Sequence, residues 1–145
     1  KLIIFLIIFF SFENLFSKEE YFLTLRNEKV NLRQGPSFDY PVKIFYKKKY
    51  LPVLIQDSSN NFRKVRDHEN NSGWIHISQL SKKKAAITLD DDLVLFSNAT
   101  IYSNPIAIIK KGRLLRINKC IDKWCKIKTG EFKGWLRKKS LWGLL

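Results

Sequence analysis

The chain is poor in the residues from which active sites are built. Its two histidines, His68 and His76, lack the spacing of a metal-ligand pair. Its six glycines form no phosphate-cradling loop. No serine has a nucleophile-elbow context. Cysteine is limited to Cys120 and Cys125, whose spacing is not the C-x-x-C of a redox motif. Three adjacent carboxylates, Asp90-Asp91-Asp92, offer at most a weak cation contact and otherwise a solvated run. These gaps argue against an enzyme, and no catalytic residue, metal or cofactor is expected. After residue 17 no sustained 3.6-residue apolar period occurs, which argues against a helical fold.

Long hydrophobic runs are also scarce. The one at the start, Leu2 to Phe12, is about eleven residues, whereas a membrane-spanning helix needs about 20. A basic residue before it and a polar stretch ending at Ser17 predict a secretory signal peptide over 1–17, with an uncleaved tether as the competing reading. Acidic residues are few: 27 Lys and Arg face 13 Asp and Glu, for a formal charge of +14. Loss of Lys1 and Glu13 with the leader leaves that value unchanged. Nucleic acid, anionic lipid and an anionic wall polymer all suit such a surface, and export disfavours nucleic acid. The basic runs Lys47-Lys48-Lys49, Lys82-Lys83-Lys84 and Arg137-Lys138-Lys139 also read as solvated faces in a lysine-rich composition.

What the chain does have is a repeat. Gly73-Trp74-Ile75 reaches Leu80 six residues after its Trp, and Gly134-Trp135-Leu136 reaches Leu141 in the same way. A hairpin-like stretch precedes each, Val53 to Val65 and Leu115 to Ile127, with Phe62 and Trp124 opening the returning strands. Short strands with close turn signals predict an all-β fold of two small barrels. The expected units are 18–81 and 99–145, joined by 82–98, which is partly strand. If Asp122-Lys123 is a two-residue turn, Cys120 faces Cys125 at a non-hydrogen-bonded site within disulfide reach. Free thiols and metal or redox chemistry are the alternatives.

Val30-Asn31-Leu32-Arg33-Gln34-Gly35-Pro36-Ser37, then Pro41-Val42, then Gly73-Trp74-Ile75, resembles the bacterial SH3-like (SH3b) family, in the manner of exported proteins with tandem copies. The resemblance extends over roughly residues 24–145. It implies two SH3-like barrels and a non-catalytic binding or scaffolding module of the cell envelope or periplasm. The partner would be a peptidoglycan peptide or an envelope protein, with no membrane span after leader removal; the alternative, driven by the net positive charge, is a polyanion or nucleic-acid binder. In the second copy Tyr102 stands where the opening Arg would be, which favours the first unit as the binding one. Candidate ligand residues are Arg33, Tyr40, Tyr46, Trp74 and Trp135. Each has a structural reading beside the functional one. Arg33 would fix its own turn, with Asp39 as one partner. The two tryptophans would cover the end of a small core.

Overall fold

In a computed structural model, residues 18–145 are described, and the expected leader lies outside them. They form two antiparallel sheets of seven strands each. The first contains β1 (Tyr21–Leu25), β2 (Val30–Arg33), β3 (Val42–Tyr46), β4 (Pro52–Ser59), β5 (Phe62–Arg66), β6 (Ser72–His76) and β7 (Leu80–Ser81). The second contains β8 (Ala85–Thr88), β9 (Leu93–Phe96), β10 (Pro105–Ile109), β11 (Leu114–Ile121), β12 (Trp124–Thr129), β13 (Phe132–Arg137) and β14 (Leu141–Trp142). The spatial orders, β3-β2-β6-β5-β4-β1-β7 and β10-β9-β13-β12-β11-β8-β14, are the same topology repeated. Among the described residues, no helix is long and apolar enough to cross a membrane.

Two expectations change here. The segment 82–98 is not a connector: β8 and β9 are strands of the second sheet, and only Lys82-Lys83-Lys84 joins the sheets. The barrels are not closed by hydrogen bonds either. β3 and β7 are free edges, because the two-residue β7 pairs only with β1. Side chains do the closing instead. Leu25, Leu32, Tyr46, Val53, Val65, Ile75 and Leu80, one from each strand of the first sheet, meet in one core.

The repeat extends to irregularities. β4 bulges between Ile55 and Asp57, and β11 between Ile117 and Lys119. Each bulge adds local twist, which curls a long strand around its core. Gly73 has the same task as Gly134. A Cβ on Gly73 would come within 2.7 Å of the Arg33 carbonyl oxygen, and one on Gly134 within 2.6 Å of the Phe96 carbonyl oxygen. Only glycine lets β6 cross β2, and β13 cross β9, that closely. Pro52, read as an edge or bulge signal, opens the interior strand β4, where a missing N–H is tolerated.

The hairpin prediction holds. Ile121 pairs with Trp124 and Cys120 with Cys125 across Asp122-Lys123. The cysteines are joined as a disulfide at a Cα separation of 4.0 Å.

The two units also share a seam. Ile87 of β8 is buried in the first core, and Leu114 of β11 packs against it. Phe22 meets Trp142 edge-to-face at 4.8 Å, and the His68 ring lies 6.2 Å from Trp142. A Cβ on Gly143 would overlap the Ala85 carbonyl and Pro52, so the last strand turns away tight against the first unit.

Candidate functional site

Alternation along β6 decides which way the Gly-Trp motif looks. Gly73 and Ile75 are buried, while Ser72, Trp74 and His76 face outward. The expectation that Trp74 covers a core end is therefore corrected. Side chains alternate on a strand, and Gly73 occupies the inner position against Leu32. Trp74 is half-buried on the outer face, beside its ladder partners Arg33 and Lys64.

Around it the first sheet collects aromatic rings and one guanidinium. Phe62 pairs with His76 across β5 and β6, with ring centroids 5.1 Å apart. Phe38 meets Phe62 edge-to-face at 5.2 Å and lies tilted over His76 at 5.1 Å. Arg33 donates from Nη1 to the carbonyl oxygens of Phe38 at 3.2 Å and Tyr40 at 2.9 Å. Its guanidinium also lies 5.3 Å from the Phe38 ring centre. Arg33 thus fixes the loop 34–41, through backbone carbonyls rather than through Asp39. That clamp leaves Phe38 63% and Tyr40 46% exposed on a held loop. Tyr40 also lies flat on Gly35, where any Cβ would overlap the ring.

His76 is a cap. Its Nδ1 accepts from the Ser78 backbone N–H at 3.2 Å at the start of the turn Ile77–Gln79. His68 is placed at the seam, with Nε2 3.3 Å from Glu69. His76 Nδ1 also lies 2.7 Å from the Ser78 hydroxyl oxygen, a contact within the same exposed turn.

Tyr46 is removed from the candidate surface. It is 8% exposed and donates its hydroxyl to Asp67 Oδ2 at 2.8 Å. Burial first, and then the Asp67 carboxylate, push its phenol well above the ordinary range. Asp67 is itself buried and accepts from the backbone N–H groups of Glu69 and Asn71 and from the Asn71 side chain. The pair anchors the loop before β6. A groove-lining role is excluded because the ring fills the core.

Trp135 takes the equivalent outward position in the second unit but is only 9% exposed, with the Lys119 ammonium 5.9 Å from its ring. The partner of Trp135 across the ladder is Phe96, so Phe96 and not Tyr102 occupies the place of Arg33. Tyr102 matches Asp39: Ser97 N–H reaches the Asn104 carbonyl just as Gln34 N–H reaches the Pro41 carbonyl. The two loops, 34–41 and 97–104, are therefore equally long. The second unit instead sets Phe96 edge-to-face with Trp124 at 5.7 Å, with Arg137 5.1 Å from Trp124.

Phe38 and Phe62 were not among the residues expected at the site. Phe62 carried a signal, since it opens a strand in register with Trp124. Phe38 carried none beyond its place in a Gly-Pro-Ser loop. Ion pairing is sparse: the described residues hold Lys18–Asp57 and Lys110–Asp92, and His68 touches Glu69. Asp91 and Asp92 contact the Lys111 N–H and the Lys110 ammonium, and no group of metal-ligating side chains occurs among the described residues.

The chain is similar to two solved structures of proteins from Trichomonas vaginalis. NlpC2 matches at 14% identity and a TM-score of 0.39, over 86% of this chain and 48% of that one. NlpC1 matches at 14% identity and a TM-score of 0.38, over 85% and 45%. The chain spans less than half the length of either. No curated protein matches it significantly. The bacterial SH3 domain model matches twice, over residues 26–82 and 90–143, one match on each sheet, and the chain belongs to the bacterial SH3 domain family.

Proposed function

We propose that this chain is a non-catalytic, exported binding module of the bacterial cell envelope. Its ligand is an extended peptide segment, from peptidoglycan or from an envelope protein, laid across the outer face of the first sheet. One observation carries the reading: Arg33, the ladder partner of Trp74, clamps the loop that exposes Phe38 and Tyr40. Exposed aromatics on a fixed loop offer apolar area without an ordering penalty, as grooves for extended peptides do. Membership of the family and the disulfide support export.

The polyanion alternative is favoured by +14 with few ion pairs. A pull-down with isolated peptidoglycan at low and high salt separates the two. Retention that survives salt and is lost in folded Trp74→Ala and Phe38→Ala variants supports the aromatic face. Retention abolished by modest salt and indifferent to both variants overturns it.

A further inference from the structure

The turns that lead into β4 and β11 have the same backbone and different residues. Tyr50 has φ 67° and Gly112 has φ 76°. The Tyr50 N–H donates to the Leu25 carbonyl at 2.9 Å, and the Gly112 N–H donates to the Thr88 carbonyl at 2.9 Å. A left-handed conformation suits glycine and disfavours a bulky L side chain. The second unit carries the relaxed solution. The first keeps a tyrosine there, and backbone strain retained at one of two equivalent turns points to what its side chain does.

That side chain stands at the seam, ringed by cations. The Arg116 guanidinium lies 3.9 Å from the ring centre, the Lys49 ammonium 5.1 Å and the Lys83 ammonium 5.7 Å. They come from three places: the turn before β4, the link between the sheets, and β11 of the second unit. Two lysine runs far apart in sequence meet here. The ion pairs found among the described residues all lie elsewhere. Desolvation opposes ionisation of the Tyr50 phenol, yet Lys49, Lys83 and Arg116 outweigh it and hold the group below its ordinary range.

We propose that Tyr50, Lys49, Lys83 and Arg116 form an anion site bridging the two units, which takes phosphate groups of an anionic polymer. The guanidinium fork matches a phosphate edge, the two ammonium groups add point charges, and the phenol is a further donor. Three converging cations call for more than one negative charge, which successive phosphates supply and a lone carboxylate does not. The site is separate from the aromatic face and does not rest on the peptide reading.

The test is titration of the full chain with long-chain polyphosphate near 0.15 M salt, with inorganic phosphate in parallel. Tyr50→Gly installs the second unit's own residue and leaves the net charge unchanged. It is expected to weaken polyphosphate binding by about fivefold, and Arg116→Gln by about tenfold. Lys123→Gln, an equal charge loss at the exposed tip of the β11–β12 hairpin, seven residues along the chain from Arg116, is expected to change it by less than about twofold. Inorganic phosphate is expected to compete at the same residues, read as chemical-shift changes at Tyr50 and Arg116. Equal losses for Arg116→Gln and Lys123→Gln would reduce the effect to diffuse charge and overturn the proposal. So would Tyr50→Gly lowering Tm with affinity intact, which is the result for a stacking clasp. Phe38→Ala is expected to bind polyphosphate normally, so failure of the peptide reading leaves this result readable.

Discussion

The two halves are one architecture with its special contacts placed differently. The first unit secures the loop before β6 with the buried Tyr46–Asp67 hydrogen bond. The second puts the apolar Ile109 at the matching place and ties Thr129 to Arg113 at 3.0 Å. The first hairpin pairs Ser58 with Arg63 where the second has its disulfide. Arg33 holds an exposed aromatic loop in one, and Phe96 packs on Trp124 in the other. The framework common to both is set by inward residues and close-approach glycines. The outer faces are free to differ, because they carry little of the core.

The largest test of that framework is Gly73→Ala beside Gly134→Ala. Each Cβ would press on backbone and on a core leucine, and overpacking of this kind costs about 2–3 kcal/mol. Thermal melts are expected to drop in both. The shared seam predicts one cooperative transition in each variant; two separated transitions would show that the halves unfold independently.

Loss of the disulfide comes next. Cys120→Ser with Cys125→Ser is expected to cost about 2 kcal/mol in the chain-entropy model. The second sheet should still fold, since the first forms the same hairpin without a bridge. Loss of the fold on reduction, followed by near-UV circular dichroism, would break the equivalence.

Tyr46→Phe is expected to cost about 1–2 kcal/mol by leaving Asp67 short of a donor. It also has a pH signature. The folded phenol titrates above its ordinary value of 10.0, chiefly through burial. The folded state therefore holds its proton where the unfolded chain releases it. This stability is fully present below pH 10 and is lost as pH rises further. Denaturant midpoints from pH 8 to 11 should fall less steeply in Tyr46→Phe, whereas Ile109→Val should keep the parent slope.

The smallest effect is at the left-handed turns. Gly112→Ala is expected to cost about 1 kcal/mol through its positive φ alone, since no atom lies within 4 Å of the added Cβ. No measurable loss would mean that the turn relaxes and that Tyr50 bears no strain.

Much of the fold was legible because its signals are local. The Gly-Trp pairs, the twelve-residue hairpin spacings and the Cys120–Cys125 turn need only strand alternation and turn length. The site was less legible. Tyr40 and Tyr46 look alike as loop-flanking aromatics, and only the inward register of Tyr46 separates an anchor from a surface. Tyr102 stands three residues before Pro105, as Arg33 does before Pro36, and that spacing hides its real place in the loop. The true match, Phe96, is set by which residue crosses Trp135 in the ladder. Tyr50 had no motif at all.

By itself the sequence determined the class, the two-fold repetition and the paired cysteines, since each depends on residues close along the chain. The tertiary structure decided that the ladders stay open, that β8 and β9 belong to the second sheet, and that Trp74 looks outward beside Arg33. It also brought Lys49, Lys83 and Arg116 around Tyr50. These contacts join distant segments, and their register is settled only when both cores pack.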